Sequence, residues 1–139
     1  MPAILLRIPV YLLAAFMAFM GVQKFAGDVP IFGIIEANVA AGTGLTLTFF
    51  EPYGRYLTGV LELAAALLLI VRRRWGAWLS VAIIAGAIGA HLTFLGISTP
   101  MSGEPGAEKS PVLFIMALGS FALAWLVVWL GRRPAQQSG

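Results

Sequence analysis

The chain has 139 residues, 60% of them hydrophobic and only 11% charged, with a formal net charge of +3. Soluble chains run near ~45–50% apolar and ~25% charged, so the composition excludes an ordinary soluble domain and makes lipid the main solvent. No cysteine is present, which removes disulfides, thiolate metal sites, iron–sulfur clusters and thiol catalysis, and a single histidine argues against a bis-histidine haem held by one subunit.

Residues 3–22 form the first apolar segment, interrupted only by Arg7, which can snorkel to the headgroups. Pro9 falls in the first turns, where a missing N–H costs least. Gly21-Val22-Gln23-Lys24 lacks a small-x-small cleavage pattern, so this segment is read as a retained span and not a cleaved leader. Residues 24–54 are the long connection. A short helix is expected over 30–40, with Ile31, Ile34, Ile35 and Val39 near one face and Glu36 and Asn38 elsewhere. Gly42-Thr43-Gly44 should break it. Leu45, Leu47 and Phe49 alternate with Thr46 and Thr48, the pattern of an extended piece. Neither part reaches the ~17–25 apolar residues needed to span. Two readings stay open: an ordered cap lying on the bundle at the interface, or a lid over a site between the helices.

Glu51-Pro52 opens the second span, read as 55–71, with proline suited to the first helical position and the acid favourable at the helix N-terminus. The corner Arg72-Arg73-Arg74 joins it to a third span, read as 75–96, and Trp75 and Trp78 sit beside the corner as an aromatic belt would. The third span carries a small-residue face, Ala82, Ala85, Gly86, Gly89 and Ala90, expected to pack closely on Gly59, Ala64, Ala65 and Ala66 of the second. Residues 97–110 form a turn-rich loop with Pro100, Gly103, Pro105 and Gly106. Ser110-Pro111 reads as an N-cap followed by proline at the first helical position. It begins a fourth span, read as 111–131. Gly131-Arg132-Arg133-Pro134 ends it, and 135–139 is read as a frayed tail.

The expected fold is all-α: an integral membrane four-helix bundle in residues 1–134, with an outer interfacial cap between its first and second spanning helices. Arg7, Arg72, Arg73, Arg74, Arg132 and Arg133 fall on one side of the bundle. Lys24, Arg55 and Lys109 fall on the other, mixed with Asp28, Glu36, Glu51, Glu104 and Glu108. By the positive-inside rule both termini are cytoplasmic and both longer loops lie outside. Basic residues at helix ends suit anionic lipid headgroups. No basic face interleaved with aromatics points to nucleic acid.

Several short stretches resemble the DoxX and DoxX-like membrane proteins. They are Gln23-Lys24-Phe25-Ala26-Gly27, Glu51-Pro52-Tyr53-Gly54-Arg55, Thr58-Gly59-Val60-Leu61-Glu62, and Gly86-Ala87-Ile88-Gly89-Ala90-His91-Leu92-Thr93 followed by Leu95-Gly96. The order and spacing of these stretches, more than any one of them, carry the resemblance over nearly the whole chain. It implies a small four-helix bundle in a prokaryotic inner membrane. Its name comes from a subunit of a terminal quinol oxidase, and relatives are linked to thiosulfate:quinone oxidoreduction or serve as membrane partners and assembly factors.

Glu62 and His91 are the groups most able to carry chemistry. A hairpin with its corner at the arginines puts both toward the opposite end, at ~15 Å and ~24 Å from the corner for a rise of roughly 1.5 Å per residue. A carboxylate at mid-span costs about 2.5–3.5 kcal/mol on insertion scales, so Glu62 should face the bundle and have a partner. Arg55, Lys24 and His91 are the candidates. One reading makes Glu62 a polar anchor or proton acceptor for a quinone headgroup; the other makes it a helix–helix hydrogen bond. His91 could donate to a quinone carbonyl or simply be a satisfied interhelical residue. Lys24 and Arg55 either anchor at the interface or compensate Glu62. Phe25, Phe32, Phe49, Phe50 and Phe94 could line an apolar mouth. One histidine with Glu62, and Glu36 only if the cap folds in, makes a poor metal set.

The leading expectation is an accessory or assembly subunit of a larger, respiratory or redox membrane complex, surrounded by lipid and partnered by other membrane subunits or by copies of itself. The alternative is a quinone-binding redox component that uses Glu62, His91, Lys24 and Arg55. A small transporter fits least, because no paired broken helices are visible.

Overall fold

The computed structural model describes residues 3–26, 30–45, 50–100 and 106–132, apart from the side chain of Phe50. The chain is helical nearly throughout. Helix α1 covers Ala3–Ala26, α2 Ile31–Thr43, α3 Arg55–Val71, α4 Arg73–Ala90 and α5 Val112–Arg132. Wide turns at Phe50–Gly54 and His91–Leu95 lead into α3 and out of α4. Two-residue strands β1 (Thr99–Pro100) and β2 (Lys109–Ser110) pair antiparallel, Thr99 opposite Ser110. With the turns included, four helices are long and apolar enough to cross a membrane; α2 is a shorter apolar helix.

The long helices form a ring in which α1 meets α3, α3 meets α4, α4 meets α5, and α5 returns to α1. Leu13 and Met17 of α1, Ala65 and Leu69 of α3, Ala77 and Ile84 of α4, and Ala124 and Val127 of α5 make the core. The outer faces are as apolar as the inner ones: Phe19, Leu67, Leu118 and Trp129 are all exposed. A helix apolar all round is stable where its outer face meets hydrocarbon and not water.

Three boundaries differ from expectation, each for a local reason. Helix α1 runs to Ala26, one turn past the expected end, so Lys24 lies on a helix and not in the connection. Helix α2 continues through Gly42. Thr43 stays in register by donating its hydroxyl to the Val39 carbonyl at 2.7 Å, and the chain turns only at Gly44, whose φ of 74° suits glycine. The corner is a single non-helical residue, Arg72, so Arg73 and Arg74 belong to α4. Of the alternating stretch, residues 46–49 lie outside the described residues, as does the tail at 135–139. Regular helix begins at Arg55, after the wide turn that holds Pro52. Ser110 caps α5, accepting the Val112 N–H at 3.2 Å with Pro111 between them.

Helix α2 sits across one end of the ring, against both wide turns. Two polar side chains tie it there. Glu36 accepts the Glu51 N–H at 3.2 Å. Asn38 donates to the Phe94 carbonyl. Its apolar residues Phe32, Ile35 and Val39 face inward and are buried.

Candidate functional site

A cavity of about 300 Å³ lies under α2, at the lower bound of the ~300–1,000 Å³ usual for ligand pockets. Its walls come from all five helices. Phe16, Met17 and Met20 come from α1, Ile31, Phe32 and Ile35 from α2, and Thr58 and Leu61 from α3. Ala82, Ile83, Gly86, Ala87 and Ala90 come from α4, and Leu113, Met116, Ala117 and Ser120 from α5. Three ionisable side chains join this apolar lining: Lys24, Glu62 and His91.

Two glycines bring Lys24 and Glu62 together. An added Cβ on Gly59 would stand 2.7 Å from the Phe25 ring and 2.9 Å from Lys24 Cβ; one on Gly21 would stand 2.8 Å from Leu63 Cγ. Helices α1 and α3 therefore cross with backbones close. Lys24 follows Gly21 by three residues and Glu62 follows Gly59 by three, so each side chain lies on the crossing face of its helix. Lys24 Nζ donates to Glu62 Oε1 at 3.1 Å and to the Met20 carbonyl at 3.3 Å. Glu62 Oε2 is 3.0 Å from the same nitrogen, yet off the direction of a hydrogen bond, and it has no other partner among the described residues. Both residues are buried, Lys24 3% and Glu62 6% exposed. The ion pair is thus enclosed, with one carboxylate oxygen still able to accept.

His91 opens the wide turn at the end of α4 and is buried at 4% exposure. Its Nδ1 lies 2.9 Å from the Gly96 carbonyl. A carbonyl only accepts, so Nδ1 carries the proton and Nε2 keeps its lone pair in the neutral ring. Phe114 packs edge-on against the ring at 5.5 Å between centroids.

Arg55 does not line the cavity and does not pair with Glu62. Its guanidinium pairs with Glu51, Nη2 to Oε1 at 2.9 Å, lies 4.7 Å from the Tyr56 ring centroid, and donates to the Lys24 carbonyl. That carbonyl is among the last four of α1, which have no partner within the helix. Arg55 therefore acts on the site indirectly, by holding the chain end that carries Lys24. Nor does His91 serve as the partner of Glu62, since Lys24 fills that place.

The small-residue face of α4 also departs from expectation. Among the described residues, nothing lies within 4 Å of an added Cβ at Gly86 or Gly89. Ala82, Gly86 and Ala87 are exposed while lining the cavity. The face leaves a gap and the cavity opens along it; Gly59 packs instead on α1, against Phe25, Lys24 and Gly21, while Ala65 is buried. Among the phenylalanines, Phe32 lines the cavity, Phe25 stacks on Tyr56 at 5.4 Å, and Phe94 is exposed outside it. Phe49 lies outside the described residues. Sequence reasoning missed Met17, Met20 and Met116; unbranched thioethers that fill irregular gaps are the one signal they carried. No cluster of three or more potential metal ligands occurs among the described residues. Compared with known protein families, curated proteins and solved structures, the chain gives no match.

Proposed function

We propose that this chain is a DoxX-like protein of a prokaryotic inner membrane whose cavity binds an apolar ligand with a carbonyl-bearing head, a quinone. Its arginine end faces the cytoplasm and α2 is the outer cap, doubling as the roof of the site. The observation that carries this reading is a mostly apolar cavity, open along α4, that holds the Lys24–Glu62 pair and His91.

The residues present suit such a ligand. Lys24 has three N–H donors and spends two inside the protein, so one remains for a carbonyl. Glu62 Oε2 and His91 Nε2 can accept from a hydroxyl, the group a quinone carbonyl becomes on reduction. Phe16, Leu61 and Met116 give the ring and chain apolar surroundings. The opening at Ala82, Gly86 and Ala87 lets a lipid-dissolved molecule enter sideways, without crossing water. Arg55 serves by positioning Lys24.

The accessory-subunit reading draws on the wide apolar surface at Phe19, Leu67 and Leu118, which a partner helix or a second copy could cover. Lipid covers such a surface equally well, so one experiment separates the two. The protein is purified in mild detergent, its organic extract is analysed for quinone, and co-purifying proteins are identified. Bound quinone that falls in Glu62→Gln and in His91→Ala supports the cavity reading. A stable partner complex with no quinone in its small subunit supports the accessory reading and removes the first.

A further inference from the structure

We propose that a second cavity, at the opposite end of the bundle, binds the phosphodiester headgroup of an anionic phospholipid. It measures about 240 Å³ and lies between α4 and α5. Arg73 and Arg74 enter from the start of α4 and Arg132 from the end of α5. Ala77, Trp78, Val127 and Val128 form the floor.

Three features make this a built site and not a loose basic patch. First, among the described residues no carboxylate lines the cavity and none of the three arginines pairs with an acid. Second, Arg132 is held in place. Its guanidinium carbon is 5.3 Å from the Trp78 ring centroid, and Trp78 is braced edge-on by Trp125 at 5.5 Å, itself braced by Phe121 at 6.1 Å. A guanidinium stacked on an aromatic face keeps its N–H fork free for a planar oxyanion. Third, α4 begins here with no side-chain cap, so its first free N–H groups face the same end.

A phosphodiester meets all three. Its two unesterified oxygens match paired guanidinium donors. The position fits the same ligand: at the tip of helices able to span a bilayer, the cavity stands at headgroup depth, with exposed Trp75 and Trp129 nearby for the interface. Topology alone asks only for positive charge; it does not ask for a cavity or for a stacked arginine.

The test is lipid binding to the full chain in detergent, read by native mass spectrometry, with phosphatidylglycerol and phosphatidylcholine of identical acyl chains. The expected result is a preference for phosphatidylglycerol that falls about fivefold for each of Arg73→Gln, Arg74→Gln and Arg132→Gln, the scale of one basic residue at a membrane surface. Arg7→Gln, exposed at the same end but outside the cavity, leaves the preference intact. Trp78→Leu keeps every charge and still weakens the preference, which a purely electrostatic attraction would not. Helical content by circular dichroism checks that each variant is folded. Inorganic phosphate in large excess does not displace the lipid. Equal binding of the two lipids, an Arg7→Gln effect as large as the others, or displacement by phosphate overturns the proposal.

Discussion

Two faces of this bundle are built from the same small residues and do opposite things. Where α1 crosses α3, Gly21 and Gly59 have no room for a methyl group, and the close approach joins Lys24 to Glu62. On α4, Gly86 and Gly89 have open space around them, and Gly86 lines the cavity with Ala82 and Ala87. A small residue permits a close approach but does not enforce one. Whether a partner backbone moves in depends on what else fills the layer. At the α1–α3 crossing, a buried charge pair and the Phe25–Tyr56 stack pull the helices together. At the α4 face, Phe16, Phe32 and Met116 of α1, α2 and α5 line the same cavity as Gly86.

The largest test of this contrast is Lys24→Met. It leaves the Glu62 carboxylate buried without its cation, and breaking a buried pair from one side costs about 3–5 kcal/mol. Denaturant unfolding in detergent, followed by helical circular dichroism, should show that loss. The double variant Lys24→Met with Glu62→Leu should recover most of it, since a buried pair replaced by apolar groups is often near neutral. A double variant as unstable as the single one would mean that the crossing does not depend on the pair.

Gly76→Ala comes next. The added Cβ would run into the Leu69 backbone nitrogen, so α3 and α4 must separate at the corner, and the expected loss lies near the top of the ~1–3 kcal/mol range for overpacking. Gly59→Ala should cost less, about 1–2 kcal/mol. Its nearest atoms belong to the Phe25 and Lys24 side chains, which can shift, although the Gly21 carbonyl at 3.2 Å limits how far. Equal losses at the two positions would show that side chains at the crossing are as fixed as backbone.

Much of the fold could be read in advance because lipid makes strict demands. Four long apolar runs, a basic corner after Val71 and the Ser110-Pro111 start all leave local marks in the sequence. The buried state of Glu62 also followed from the cost of a charge in hydrocarbon. Its partner did not. Lys24, Arg55 and His91 were all within plausible reach, and the choice turned on one extra turn of α1, which carries Lys24 past Gly59 while Glu51 holds Arg55 away. The small-residue face of α4 was misjudged for a related reason. Composition gives the size of a surface, but whether that surface is covered depends on where residues of the other helices stand, and those are distant in the chain. The roof of the cavity was visible only as two open readings, because the ties from Glu36 and Asn38 reach residues 15 and 56 positions away.

The smallest effect on stability is expected at the open face, and there the contrast is sharpest. Gly89→Ala meets nothing within 4 Å and removes the backbone freedom that glycine has in a helix, so the bundle should hold steady or gain up to about 1 kcal/mol. Gly86→Leu also meets nothing near its Cβ, yet its longer side chain extends from a residue that lines the cavity. Unfolding should therefore change little, by about 0.5 kcal/mol or less, while quinone recovered in the organic extract falls. Loss of ligand without loss of stability separates a filled cavity from a damaged helix contact. A Gly86→Leu variant as destabilised as Gly59→Ala would show instead that α4 is packed along its whole length. The cavity proposed to take quinone would then have no opening toward the bilayer.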